Sequence, residues 1–170
     1  MRNVGFTKAG EVEEKNRPVL DRVDYRILDL VQREGALPVA EVAARTGLST
    51  TTCWRRLQNL EQSGVIRGRV AVLDRAALGL DVTIFAHVKL STQGRDAIGA
   101  FAEAIRERPE VLDCYTTMGE WDFMLRIVTR DIKAYEAFYL DHLSKLPNVQ
   151  SINSSVTVTV IKETTVLPLA

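Results

Sequence analysis

The stretch Val39–Gly64, VAEVAARTGLSTTTCWRRLQNLEQSG, decides how this chain reads. Pro38 stands immediately before it, where a missing amide hydrogen is no loss in a first helical turn, and Val42 and Ala43 then fall on the inner side of a short helix. Gly47 ends that helix. Ser49 offers a side-chain oxygen to cap a second helix, and the three threonines after it suit phosphate oxygens better than they suit a helix interior. Cys53, Leu57 and Leu60 recur at helical spacing and are expected inside. Thr50, Thr51, Trp54, Arg55, Gln58 and Asn59 are left on the opposite side, a surface of hydroxyl, amide and guanidinium groups of the kind that reads base edges and phosphates. Two helices joined by a tight turn, with such a face, are a helix-turn-helix over 39–58. The expected contacts to double-stranded DNA are those six together with Ser49, Thr52 and Arg56, which lies nearer the edge of the face.

Upstream, a further helix is expected from Asp21, with Asp24 three residues later in its first turn, a stripe of Val23, Ile27, Leu30 and Val31, and Gly35 as its end. Three helices leave one side of a small core open. Val65–Leu73, VIRGRVAVL, has strand composition with Gly68 at a bend, and a short hairpin or wing there covers that side and sets Arg67 and Arg69 beside the duplex. The whole chain balances 22 basic against 22 acidic residues, so overall charge makes no case for nucleic acid. The local balance does: between Thr50 and Val70, Arg55, Arg56, Arg67 and Arg69 face Glu61 alone. Residues 1–19 show no apolar period and read as a mobile arm, one that Glu11, Glu13 and Glu14 make a poor DNA tracker.

A connector over 74–81 leads to a second unit, 82–170. Val82–Leu90 alternates as a strand; Ile98, Phe101, Ala102 and Ile105 sit at helical spacing before Pro109. Val111–Met118 and Asp122–Val128 are separated only by Gly119, Glu120 and Trp121 and should pair as a hairpin. Tyr135, Phe138, Tyr139, His142, Leu143 and Leu146 mark a second helix before Pro147, and Val149–Ile161 alternates again. The order strand, helix, strand, strand, helix, strand is the ferredoxin-like βαββαβ arrangement, so the chain as a whole is α+β. Both helices should cover one sheet face. The other, with Phe85 and Tyr115 or Met118, is too apolar for water, which makes a second copy of the sheet the expected cover and brings two recognition helices to one DNA site.

Several classes drop out. No segment reaches the roughly 20 apolar residues of a membrane span, and the first residues lack the apolar core of a signal peptide, so a cytoplasmic protein is expected. Cys53 and Cys114 are far apart and read as two buried thiols, with no disulfide and no metal. There is no nucleophile with an orienting base, no metal-ligand spacing and no phosphate-cradling glycine loop, which speaks against an enzyme and against a cofactor. His142 reads as a core histidine, and His87 stands by itself on its strand.

Four motifs, LDRVDYRIL from Leu20, GLSTTTCWRRLQNLEQSGVIRGRVAVLD from Gly47, GEWDFMLRI from Gly119 and LPNVQSINSS from Leu146, occur in an order and spacing that resemble the leucine-responsive and asparagine-regulator (Lrp/AsnC) family of prokaryotic transcription regulators. The resemblance runs from about Leu20 to the end. It implies a DNA-binding regulator whose dimers assemble into tetramers or octamers, with a small amino-acid effector held by the second unit near a contact between dimers. In that family the hairpin turn GDxD or GExD lines the effector site, which maps onto Gly119, Glu120, Trp121 and Asp122 beside Met118, with Ser154, Ser155 and Thr157 as further contributors. A glycine lets backbone approach a ligand and present amides to a carboxylate, and an aspartate can pair with an α-ammonium. Trp121 stands where the family more often has Phe or Tyr. TTTCW and the tail TTVLPL, Thr164–Leu169, are similar to a subgroup that answers to cysteine or other small amino acids. The competing expectations are a plain tight turn at Gly119 and a stand-alone amino-acid-sensing module acting through protein contacts.

Overall fold

The computed structural model describes residues 18–92 and 94–169, so nearly all of the expected arm over 1–19 lies outside the described residues. The chain divides into two compact units. One runs to Val72 and takes in the chain again from Glu163; the other is Leu73–Lys162.

The first unit holds three helices, α1 (Arg22–Arg33), α2 (Val39–Thr46) and α3 (Thr50–Gln62). Asp21 caps α1 by a reciprocal box: its Oδ1 accepts the amides of Val23 and Asp24, each at 2.8 Å, and its own amide donates to Asp24 Oδ2 at 3.1 Å. Pro38 is the N-cap of α2 rather than its first residue. Gly47 closes that helix at φ 72°, in the left-handed region where a side chain would be strained, and the Leu48 amide returns to the Ala43 carbonyl at 2.9 Å. Ile27, Leu28, Val31, Val42, Ala43, Cys53, Leu57 and Leu60 form the core between the three helices. Leu30, expected on the inner stripe, is half-buried, and Leu28 is inside instead.

Two segments depart from the sequence reading. Residues 67–74 run without secondary structure, and no strand pairs with them among the described residues, so the hairpin expected over 65–73 is not formed within one chain. Val70, Val72 and Leu73 are exposed, while Val65 and Ile66 close the core. The second departure is the tail, expected with the second unit but packed on the first. Gln32 holds it by a two-way amide pair: Nε2 donates to the Leu167 carbonyl at 3.2 Å and Oε1 accepts the Leu167 amide at 2.9 Å, while Leu169 packs against the helix core. A side-chain amide that imitates a strand partner leaves no signal in periodicity.

The backbone amide of Asp24, and then the Arg56 hydrogen bond, hold the Asp21 carboxyl below its ordinary 3.8; Arg33 and Gln32 do the same for Asp29. A carboxyl whose pKa is depressed by folding contributes stability above its unfolded value and loses it as pH falls through the folded one. Thermal unfolding of this unit should therefore move to lower temperature as pH drops below about 3.8. Asp21→Asn, which keeps the cap oxygen, should flatten that dependence.

In the second unit, β1 (Val82–Leu90), α4 (Arg95–Arg106), β2 (Val111–Thr116), β3 (Phe123–Thr129), α5 (Ile132–Asp141) and β4 (Val149–Val156) form a four-stranded antiparallel sheet in the order β2-β3-β1-β4. Alternation decides the faces. Ile84, Ala86, Val88 and Leu90 of β1 and Phe123, Leu125 and Ile127 of β3 pack beneath Phe101, Ile105, Tyr135 and Phe138 of the two helices, with Phe101 stacked on Phe123 at 4.3 Å. The opposite face carries Phe85 and His87 beside Met124, Arg126, Asn153 and Ser155, with Tyr115 half-exposed. Asp113 and Arg126 pair across it at 2.5 Å. The last strand stops at Val156 rather than Ile161: its ladder with β1 ends at the Ile84–Val156 pair, Thr157 still bonds the Thr83 carbonyl, and Val158, Val160 and Ile161 lie beyond the ladder and are exposed. Cys53 is fully buried as expected, whereas Cys114, on the edge strand β2, is exposed.

Candidate DNA-binding face and ligand turn

The first turn of α3 sorts the threonines. Ser49 Oγ accepts the Thr52 amide at 3.3 Å and its hydroxyl bonds Thr52 Oγ1 at 2.8 Å, so both residues serve the cap. Thr50 and Thr51 are exposed, with no side-chain partner among the described residues. The two arginines that follow diverge as well. Arg55 is exposed and unpartnered among the described residues, next to Trp54 at 54% exposure. Arg56 instead turns toward α1, and its Nη1 donates to Asp21 Oδ2 at 2.8 Å and Asp24 Oδ1 at 2.7 Å. These two bonds leave Arg56 only 28% exposed and raise its pKa, the Asp24 bond most. Gln58 bonds Glu61 at 3.4 Å, and Asn59 is exposed. On the extended segment Arg67 is exposed, while Arg69 reaches Glu61 and the Gly35 carbonyl at 3.5 Å each. The outward row of α3 is therefore Thr50, Thr51, Trp54, Arg55 and Asn59, of which Thr50 and Thr51 lie in the first turn, at the positive end of the helix dipole. Sequence reasoning missed Asp21 and Asp24 as partners of Arg56. Their spacing signalled a cap and nothing more.

The turn between β2 and β3 is pinned from below. Asp122 Oδ2 accepts the Leu90 amide at 2.8 Å and its Oδ1 lies 3.4 Å from Lys89 Nζ; its backbone amide donates to Val88 at 2.9 Å and its carbonyl accepts the Thr117 amide at 2.9 Å. Thr117 Oγ1 closes the loop on the Trp121 carbonyl at 2.6 Å. Gly119 sits at φ 129°, a conformation that side chains rarely adopt. Within this frame the amides of Met118, Gly119, Glu120 and Trp121 bond nothing among the described residues, and Met118 and Glu120 are exposed. The Trp121 ring lies 6.1 Å from that of His87.

Ser154, Ser155 and Thr157 are not brought to this turn within one chain. Ser154 pairs with Ala86, Ser155 with Phe85, and Thr157 bonds Thr83, whereas the turn is fastened at Leu90. At about 3.3 Å per residue that places them roughly 13 to 23 Å away along β1. Ser154 and Ser155 also fall on opposite sheet faces, Ser154 on the helix side with its hydroxyl 2.5 Å from that of Tyr135.

Among the described residues no helix is long and apolar enough to cross a membrane. Residues 20–67 match a family model described as winged helix-turn-helix DNA-binding, and 83–167 match one described as the Lrp/AsnC ligand binding domain. The chain is 34% identical over 151 residues to the DNA-binding transcriptional activator DecR of Escherichia coli strain K12, covering 89% of this chain and 99% of that protein. A transcriptional regulator of Neisseria meningitidis solved as its L-Met complex superposes with a TM-score of 0.85 at 37% identity, over 89% of this chain and 97% of that one. An AsnC family transcriptional regulator from Agrobacterium tumefaciens gives 0.84 at 41% identity, over 88% and 97%. A winged helix-turn-helix in one unit and a ligand-binding βαββαβ domain in the other thus make this a DNA-binding transcription regulator, as its relatives are, and not an enzyme, and the chain belongs to the Lrp/AsnC family.

Proposed function

We propose that this regulator reads DNA with Thr50, Thr51, Trp54, Arg55, Gln58 and Asn59 of α3, steadied by phosphate contacts from Arg67 and Arg69, and that a small amino acid held at the Met118–Asp122 turn alters its affinity for DNA. The supporting observation is the turn itself. Four successive amides stand without partners above an aspartate that fixes their backbone, an arrangement suited to the carboxylate of an amino acid. The Asp122 carboxylate faces the neighbouring strand β1, so its role is to hold the turn, and Glu120 is the exposed carboxylate at hand for an α-ammonium. The relative solved with L-Met makes methionine the first ligand to try. A second copy is the cover proposed for the sheet face of Phe85, Met124 and Tyr115, with dimers assembling further to tetramers or octamers and Ser155 and Thr157 reaching a ligand only across such contacts.

Calorimetric titration of L-methionine, L-cysteine and L-leucine, with and without bound DNA, tests the coupling. One of them should bind with an affinity that DNA changes by roughly 5- to 150-fold, and linkage requires the same factor in the DNA titration. Asp122→Ala should release the turn and reduce that factor at least several-fold while DNA affinity without amino acid stays unchanged. Equal amino-acid affinities in the two titrations would contradict the coupling; an Asp122→Ala chain that responds like the native one would contradict the site.

A further inference from the structure

The two acidic residues that cap α1 each divide their oxygens between two tasks. Asp21 gives Oδ1 to the amides of Val23 and Asp24 and Oδ2 to Arg56; Asp24 gives Oδ2 to the Asp21 amide and Oδ1 to Arg56. Cap and ion pair are therefore one network, closed by a single nitrogen of a guanidinium that belongs to α3. Arg56 Nε is buried without a partner, so the side chain is committed inward at some cost. Its neighbour Arg55, one residue earlier on the same helix, has no such tie among the described residues.

We propose that Arg56 is a positioning residue for DNA recognition: by joining the second turn of α3 to the first turn of α1, it sets the rotation of the recognition helix about its own axis, and with it where Thr50, Thr51, Trp54 and Arg55 point. Aliphatic contacts of Cys53, Leu57 and Leu60 hold α3 against the core but are non-directional and tolerate a few degrees of roll. Two short charge-assisted bonds tolerate much less. Side chains reaching from a helix axis into a groove amplify a small roll into a displacement that bidentate base contacts cannot absorb.

The divided oxygens supply the test. Asn at position 21 or 24 keeps an oxygen for the cap and turns its amide nitrogen toward Arg56, so Asp21→Asn with Asp24→Asn removes the tie and leaves the cap. The full chain is titrated, over a series of salt concentrations, with a duplex selected from random sequence by the native protein and with an unselected duplex of the same length. Arg56→Gln and the double Asn chain should each lower affinity for the selected duplex about ten-fold, the scale of one misplaced base contact, and lower the ratio between the two duplexes. The salt slope should stay at the native value, since no phosphate contact is lost. Combining all three substitutions should add little beyond either alone. The double Asn chain is the sharper arm: it removes two negative charges and on charge alone would bind DNA more tightly. Circular dichroism at the assay temperature confirms helix content, and if Arg56→Gln does not fold, the double Asn chain carries both readouts. Unchanged or tighter binding by that chain, a salt slope lowered by Arg56→Gln as a lost phosphate contact would lower it, or failure of both chains to fold would each overturn the proposal.

Discussion

Arg55→Ala should weaken binding to a selected duplex by about 1 to 3 kcal/mol, roughly 5- to 150-fold, while changing the unfolding free energy by no more than about 0.5 kcal/mol. The size follows from what the side chain does in the chain without DNA. It is exposed in the second turn of α3, ties to no described residue, and stands beside Trp54 and above Thr51. Nothing in the fold needs it, so its loss appears in the complex alone. If it grips a guanine edge, the loss falls on the selected duplex and the ratio to unselected DNA shrinks; if it grips phosphate, both duplexes weaken alike and the salt slope drops by about 0.9. Fluorescence anisotropy over a salt series separates the two. Equal binding by the native and alanine chains would remove Arg55 from the interface.

Phe101→Ala should have the largest effect on folding, about 3 to 5 kcal/mol in urea unfolding of the second unit. Phe101 is fully buried at the centre of the helix-covered face, stacked at 4.3 Å on Phe123, with Ile105 and the β1 and β3 side chains around it. Truncation loses both the transfer energy of the ring and the contacts of the walls it leaves. Against a domain stability of about 5 to 15 kcal/mol, that brings this unit close to unfolding at ordinary temperature. Leu140→Ala, half-exposed on α5, serves as the control and should cost no more than about 0.5 kcal/mol.

These two residues were legible in the sequence for different reasons. Phe101 was marked by helical spacing with Ile98 and Ile105, and Val82–Leu90 alternates residue by residue as the sheet requires, because burial on one face imposes a period that survives without coordinates. Arg55 was marked by falling off the inward stripe of Cys53, Leu57 and Leu60. Arg56 shows where that logic runs out. Period tells which way a side chain leaves its helix, but a long arginine can turn back to carboxylates more than 30 residues away in sequence, and nothing local records the choice. Thr52, expected at DNA, is bonded into the cap by Ser49, and Ser154 and Ser155, expected together at one ligand, are adjacent strand residues that must point to opposite faces. The tail on Gln32 and the unpaired stretch over 67–74 depend on backbone partners, which side-chain patterns do not encode.

The central claim, that the outward row of α3 enters DNA, is tested most directly at Trp54. Trp121 is the other tryptophan, so in a Trp121→Phe chain the emission reports Trp54 alone. Acrylamide quenching is measured for that chain free and saturated with the selected duplex. Trp54, half-exposed in the free chain, should lose most of its quenching in the complex; quenching that is the same with and without bound DNA would contradict the account.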